Sequence, residues 1–141
     1  MFFKISTLIT ICWFCFMTHL SHQNGEETTG LSKGIVKWII EYFNLTDCNR
    51  IHYLIRKLAH PFVFIILVIL VLFTISLKWN SKRIYIYAIL VMGLWAWLDE
   101  LTKLSIPGRH FSWLDTFLNL LGVIIGIIIF VLFSYWRKNI K

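Results

Sequence analysis

Long apolar runs separated by short polar stretches predict that this chain crosses a membrane several times. A transmembrane helix needs about 17–25 mostly apolar residues. Predicted spans of this kind cover residues 2–20, 61–77, 84–104 and 113–136. The first is interrupted by Lys4, and the third is apolar to Leu98, with its helix expected to continue through Leu104. The pattern predicts an all-α, polytopic membrane protein, a bundle of about four transmembrane helices. No internal repeat or Pro/Gly-rich linker divides it, so we expect residues 1–141 to form a single domain.

A weaker pattern after the first run predicts one further helix on the outer face. In the stretch GIVKWIIEYFNL, apolar residues recur at helical spacing, at Ile35, Trp38, Ile39, Tyr42 and Phe43. We expect this segment either to lie on the membrane surface as an interfacial helix or to pack over the bundle. The first run also resembles a signal peptide, but no A-x-A-type cleavage site follows it, so we expect the span to be retained.

The composition excludes several classes of protein. Apolar residues make up 58% of the chain and charged residues only 15%, which argues against both a soluble enzyme and a disordered chain. The net charge of +7 raises nucleic acid as a partner in a soluble protein, but here we expect none, because the basic residues flank apolar runs. Cys12 and Cys15 lie within an apolar helix, and the cysteines and histidines show no zinc spacing. We therefore expect neither a metal nor a cofactor.

The basic residues also predict an orientation. With the N-terminus inside, one side holds seven basic residues and no acidic residue: Lys4, Lys78, Lys82, Arg83, Arg137, Lys138 and Lys141. The other side holds the other seven basic residues and all seven acidic residues. The Lys and Arg counts are equal, but the first set is concentrated in a short loop and two tails. We therefore expect a multi-pass protein of the cell membrane with both termini in the cytoplasm.

In this orientation, polar residues from distant parts of the chain meet at the outer face. They are Arg56, Lys57 and His60, then Asp99, Glu100 and Lys103, then Arg109, Ser112 and Asp115. Ionisable groups at membrane depth are costly and usually face a bundle interior or a cavity. Asp99 and Glu100 need cationic partners there. The available cations are Arg56, Lys57, Lys103 and Arg109.

One face of the last span joins this polar region to a close helix contact. Ser112, Asp115, Asn119, Gly122 and Gly126 are spaced three or four residues apart, so they share a helix face. Ser112 and Asp115 have the spacing of a capping box. Gly122 and Gly126 form a G-x-x-x-G pair, which allows a neighbouring helix to approach. The face predicts a packed interface beneath a polar pocket.

A structural interpretation remains open for two of these residues. Asp115 would serve only to cap its helix and form a salt bridge with Arg109. His60 precedes Pro61 at the start of the predicted second span, where it would be an N-cap or an interfacial side chain. In the functional interpretation, both face the pocket.

The stretch DELTKLSIPGRHFSWLDTFLNLLGVIIG, residues 99–126, resembles the signature of the VanZ-like family of small membrane proteins. That signature falls on Asp99, Glu100, Pro107, Gly108, Arg109, Asp115, Asn119, Gly122 and Gly126. RKLAH, residues 56–60, resembles the second block of the family, and Ser21, Gln23 and Ser32 resemble its first block. Thr102 and Lys103 stand where the family commonly has His and Gln. Pro61, Val63 and Phe64 stand where it commonly has Phe, Glu and Tyr.

The resemblance implies a cell-envelope protein that lowers susceptibility to glycopeptide antibiotics of the teicoplanin type. We expect a polar pocket at the outer face to engage an amphiphilic antibiotic or a lipid-linked cell-wall precursor. Arg56, Lys57, Arg109, Asp115 and Asn119 are the candidate ligand-binding residues, and Pro107, Gly108, Ser112, Gly122 and Gly126 the structural ones. One alternative is a membrane enzyme that modifies an envelope lipid or cell-wall precursor, with Asp99 or Glu100 as base and His60 as acid. The other is a structural or sensor subunit.

Overall fold

The computed structural model describes residues 1–22, 48–107 and 109–139, and these form a bundle of four long helices. Helix α1 covers Phe2–Ser21, α2 covers Cys48–Ser76, α3 covers Lys82–Thr102 and α4 covers Trp113–Asn139. A 3-10 turn, Lys103–Ser105, continues α3. Each helix contains a segment long and apolar enough to cross a membrane, which confirms the predicted fold class. The predicted interfacial helix, Gln23, Ser32 and Gly108 lie outside the described residues.

Helix α2 differs most from its predicted bounds. The apolar run begins at Pro61, but the helix begins at Cys48 and continues through Pro61. Hydropathy placed the start too late, because Arg56, Lys57 and His60 look like the polar end of a span. The side chains of Lys57 and His60 instead contact Asp115 and Asn119 of α4, and the backbone is helical through all three residues. His60 therefore lies inside the helix, and the predicted N-cap role is wrong.

The core of the bundle is the contact between α2 and α4. Phe64 and Val68 of α2 are at most 1% exposed. A Cβ added to Gly122 would lie 2.5 Å from the carbonyl oxygen of Pro61, and one added to Gly126 would lie 2.8 Å from the Cβ of Val68. The two glycines thus bring the backbones of α2 and α4 together, which is the close helix contact expected from the G-x-x-x-G pair.

Helix α1 packs against α2 through buried hydroxyl groups. The hydroxyl oxygen of Thr74 lies 2.6 Å from that of Ser6 and 3.0 Å from that of Thr10. Further along α1, the Trp13 indole nitrogen donates to the carbonyl oxygen of Val63 at 3.1 Å. Met17 completes the contact at 1% exposure. These bonds satisfy polar groups that would otherwise face hydrocarbon.

The outward faces of the bundle are apolar, and one end carries an exposed basic anchor. The exposed side chains of α3 and α4 include Ile86, Leu90, Leu94, Ile124 and Ile128, as expected for surfaces in contact with lipid tails. At the end of the bundle where α2 finishes, the Lys78 ammonium lies 5.0 Å from the centre of the Phe3 ring and 4.7 Å from that of Trp79. The opposite end is where the polar residues gather.

Candidate functional site

The polar residues gather at the end of the bundle where α1 and α3 finish and α4 begins, and most of them are joined by hydrogen bonds or salt bridges. Lys57 of α2 forms a salt bridge with Asp115 of α4. The Ser21 hydroxyl of α1 donates to Asp99 of α3 at 2.9 Å. The sequence predicted this convergence, and we call the cluster the polar network. Its described members are Ser21, Arg56, Lys57, His60, Asp99, Glu100, Lys103, Arg109, Ser112, Asp115 and Asn119.

Three of the charges are completely enclosed. Asp99, Glu100 and Lys103 are 1–2% exposed. The Lys103 ammonium lies 2.5 Å from a carboxylate oxygen of Glu100 and 3.7 Å from one of Asp99. The spacings of three and four residues place both acids beside Lys103 on one helix face. Lys103, a departure from the family pattern, is therefore the principal counter-ion of the acidic pair, because buried charges must be paired.

Two buried polar atoms beside this triad have no hydrogen-bond partner among the described residues. They are the second carboxylate oxygen of Asp99, Oδ1, and the indole nitrogen of Trp95. The two residues lie four apart on α3, and the Trp95 ring contacts Phe14 of α1 with ring centres 4.9 Å apart. Trp95 was not among the site residues predicted from the sequence. The signal was its spacing of four from Asp99, which puts the indole on the face of α3 that bears the buried acid.

Lys57, Asp115 and His60 form the more accessible half of the polar network. Their side chains are 21%, 14% and 17% exposed. The Lys57 ammonium binds Oδ1 of Asp115, while the other oxygen of that carboxylate, Oδ2, lies 3.8 Å from Nε2 of His60. The predicted salt-bridge partner of Asp115 was Arg109, but its closest cation is Lys57. Spacing along one helix does not reveal partners on another helix.

Asn119 determines which nitrogen of His60 carries the proton. The Asn119 amide nitrogen donates to the backbone carbonyl of Ala96 at 3.3 Å, so its side-chain oxygen is left as an acceptor. That oxygen lies 3.2 Å from Nδ1 of His60. In the neutral ring, Nδ1 therefore carries the proton, and Nε2 is a lone-pair acceptor facing Asp115. The Asn119 side chain that makes both contacts is fully buried.

The predicted capping box forms only in part. The Ser112 hydroxyl accepts from the backbone N–H of Asp115 at 3.3 Å, as an N-cap does. In a complete capping box, the Asp115 carboxylate would accept from the backbone N–H of Ser112. Here, that N–H donates to Glu100 instead, at 3.3 Å. The Asp115 carboxylate therefore takes no part in the cap and binds Lys57. The start of α4 is thus tied to the buried acid of α3.

Arg109 lies on the loop between α3 and α4 and is half-buried. The loop folds back through a turn in which the N–H of Arg109 donates to the carbonyl of Ile106 at 3.1 Å, and Pro107 lies within it. Burial, followed by the like charge of Arg56, lowers the pKa of Arg109, and the carboxylates of Glu100, Asp115 and Asp99 oppose this effect. Arg56 itself is half-buried and forms no hydrogen bond or ion pair with any described residue.

The described ranges contain no group of three or more His, Cys, Asp and Glu side chains that could hold a metal ion. Cys12 and Cys15 are exposed on α1 and are not disulfide-bonded. Cys12 borders an apolar groove of about 440 Å³, lined by α1 residues Leu8, Ile9, Trp13 and Phe16. None of these side chains belongs to the polar network, so this groove is not the predicted polar pocket.

Of three comparisons with known proteins, one gave a match. Comparison with curated proteins gave no match, and comparison with solved structures gave none. A protein-family model described as VanZ/LLP1 matches residues 6–134, which is nearly the whole chain and includes every described member of the polar network. The chain is a membrane protein of the VanZ type and belongs to the VanZ/LLP1 family.

Proposed function

We propose that this protein lowers the susceptibility of a bacterial cell envelope to glycopeptide antibiotics of the teicoplanin type. The polar network at the end of the bundle is the proposed site of action. It engages the head group of an amphiphile, either the antibiotic or a lipid-linked cell-wall precursor. Membership of the VanZ/LLP1 family supports the proposal.

The observation that carries the proposal is the charge of the polar network. It holds the cations Arg56, Lys57, Lys103 and Arg109 and the carboxylates of Asp99, Glu100 and Asp115. With His60 neutral, the described members therefore have an excess of positive charge. Such an excess at the end of a helix bundle attracts a phosphate or carboxylate.

The proposed orientation places the polar network on the outer face, with both termini in the cytoplasm. The opposite end of the bundle carries the exposed cations Lys78, Lys82 and Arg83, and the acidic residues among the described ranges, Asp99, Glu100 and Asp115, lie on the polar-network side. Cytoplasmic loops are the ones enriched in Lys and Arg. A glycopeptide acting from outside would thus meet the polar network first.

A second candidate function is an enzyme that modifies an envelope lipid or cell-wall precursor. The observation in its favour is the pairing of His60 with Asp115, since a neutral imidazole held by Asn119 is suited to accept a proton. In this version, the base is His60. Asp99 and Glu100, the expected bases, are enclosed beside Lys103. Their enclosure supports a structural role for these three residues.

Expression in a susceptible Gram-positive host tests the proposed function. Teicoplanin and vancomycin susceptibility are measured for cells carrying the wild type, Arg109→Ala, Asp115→Ala or no protein. We expect the wild type to protect selectively against teicoplanin and both variants to lose protection at equal membrane abundance. A wild type that inserts normally and gives no protection would contradict the proposal.

A further inference from the structure

A second charged feature lies at the end of the bundle opposite the polar network, where α2 finishes and α3 begins. The Lys78 ammonium and the rings of Phe3 and Trp79 form a triangle there. The two ring centres are 5.4 Å apart, with the ring planes at 85°. The ammonium lies 5.0 Å from the centre of the Phe3 ring and 4.7 Å from that of Trp79, within the range at which a ring face attracts a cation. Two rings, one on α1 and one in the loop after α2, thus hold one ammonium in place.

The Lys78 ammonium is held in place, but its charge is not neutralised. Lys78 is exposed and forms no salt bridge with any described residue. The acidic residues within the described ranges, Asp99, Glu100 and Asp115, all belong to the polar network at the opposite end. An ammonium has three N–H donors, and those that do not face the rings are available to acceptor oxygens. The position therefore favours an anion with exposed oxygens.

Two further exposed cations flank Lys78. Lys4 directly follows Phe3 on α1, and Lys82 is the first residue of α3. Neither forms a salt bridge with any residue that the structure describes. Four residues of fully extended chain cover at most about 14 Å, so the Cα atoms of Lys78 and Lys82 are no farther apart than that. Because lysine side chains are long and flexible, the flanking ammonium groups can approach an anion bound at Lys78.

The position of Lys78 relative to the membrane spans fits a lipid head group. The span of α1 begins at Phe2, that of α2 ends at Ser76 and that of α3 begins at Lys82. Lys78 is therefore two residues beyond the end of its own span and close in sequence to the start of the next. Basic side chains at span ends extend towards the phosphate groups of the bilayer, and tryptophan rings settle at the same level. The anion that Lys78 meets at this depth is a lipid phosphate.

We infer that Lys78, held by Phe3 and Trp79, binds the phosphate of an anionic phospholipid. Lys4 and Lys82 are the flanking cations that favour a head group with a net negative charge. Because the rings already order the Lys78 side chain, binding costs less side-chain entropy. The general attraction of basic segments to acidic membranes does not depend on such rings. The site is separate from the polar network and goes beyond the proposed function.

Lipid binding to the purified full-length protein tests this inference. The protein is titrated in mixed micelles, at constant ionic strength, with phosphatidylglycerol or with phosphatidylcholine of the same acyl chains. The bound lipid is measured by native mass spectrometry. In phosphatidylcholine, the choline group balances the charge of the phosphate. We expect phosphatidylglycerol to bind about fivefold more tightly, the effect of one cation at the membrane surface. Equal binding of the two lipids would overturn the inference.

Two substitutions separate a built site from a general attraction between charges. Lys78→Ala removes the central cation and should weaken phosphatidylglycerol binding about fivefold. Trp79→Leu removes no charge, but it releases the Lys78 ammonium and should weaken binding about two- to fivefold. Trp136→Leu is the matched control, because Trp136 is an exposed tryptophan near the end of α4 whose ring lies beside Phe133, and it should change nothing. Phe3→Leu replaces Trp79→Leu if that variant fails to insert, with the same expected loss.

Binding of phosphatidylglycerol that neither Lys78→Ala nor the loss of a ring changes would also overturn the inference, because the lipid would then bind elsewhere. A competition experiment distinguishes a lipid from a free anion. Inorganic phosphate replaces chloride at equal ionic strength. Retention of the lipid supports a lipid head group as the ligand, whereas complete displacement would show a site for free phosphate and overturn the lipid assignment. None of these measurements involves an antibiotic, so their outcome is independent of the proposed function.

Discussion

The side chain of Asn119 joins α3 to α2 by donating to the Ala96 carbonyl and accepting from Nδ1 of His60. One buried amide thus fixes both the distance between two helices and the tautomer of a histidine. Because the amide is fully buried, rotating it would leave a donor and an acceptor unsatisfied. The polar network is therefore built into the packing of the bundle.

The contact between Gly122 and α2 predicts a large effect of adding one methyl group. Gly122→Ala would place a Cβ 2.5 Å from the Pro61 carbonyl oxygen, so α2 and α4 must separate. We expect a loss of about 1–3 kcal/mol in stability, measured by unfolding in mixed micelles. Gly93→Ala is the matched control, since a Cβ there meets nothing within 4 Å. An equal effect of the two substitutions would contradict the close contact.

The pair of Lys57 and Asp115 predicts strong coupling between two helices. Lys57→Leu or Asp115→Leu alone leaves a partly buried charge without its partner, whereas the double substitution leaves none. In a double-mutant cycle, we expect the double variant to be more stable than the sum of the single effects by about 0.5–3 kcal/mol. Additive effects would show that the salt bridge does not hold α2 to α4.

The pairing of Lys103 with Asp99 and Glu100 predicts that a second substitution partly rescues the loss of Lys103. Lys103→Gln introduces the residue that the family commonly has at this position. It also removes the buried ammonium that lies 2.5 Å from Glu100, so Asp99 and Glu100 lose their counter-ion. We expect the free energy of unfolding to fall by about 3–5 kcal/mol and little protein to insert. Adding Glu100→Gln removes one uncompensated charge and should recover part of the loss. The amount of folded protein in the membrane fraction is the measurement, and failure of any rescue would contradict the pairing.

Accessibility of introduced cysteines tests the proposed orientation. On a background in which Cys12, Cys15 and Cys48 are replaced by Ala, Ser105→Cys adds an exposed thiol near the polar network. Asn80→Cys adds an exposed one at the other end. We expect a membrane-impermeant maleimide to label Ser105→Cys in intact cells and Asn80→Cys only after permeabilisation. The reverse pattern would place the polar network inside.

The sequence predicted the helices better than the contacts between them. Hydropathy alone identifies the spans, and the glycine spacing identifies the face of α4 that meets α2. The beginning of α2 could not be read from the charge of Lys57, because a charge that pairs inside a bundle looks the same in sequence as one that ends a span. The pairing of Lys103 with Glu100 follows from local spacing. The partners of Asp115 and Asn119 lie on other helices and needed the structure.

The most direct test of the central claim, that the polar network produces resistance, compares Arg56→Ala with Arg83→Ala in the teicoplanin assay. Both substitutions remove one arginine, but Arg56 belongs to the polar network, and Arg83 is exposed at the opposite end. At equal membrane abundance, we predict that Arg56→Ala loses protection and Arg83→Ala keeps it. Equal protection by the two variants would contradict the claim.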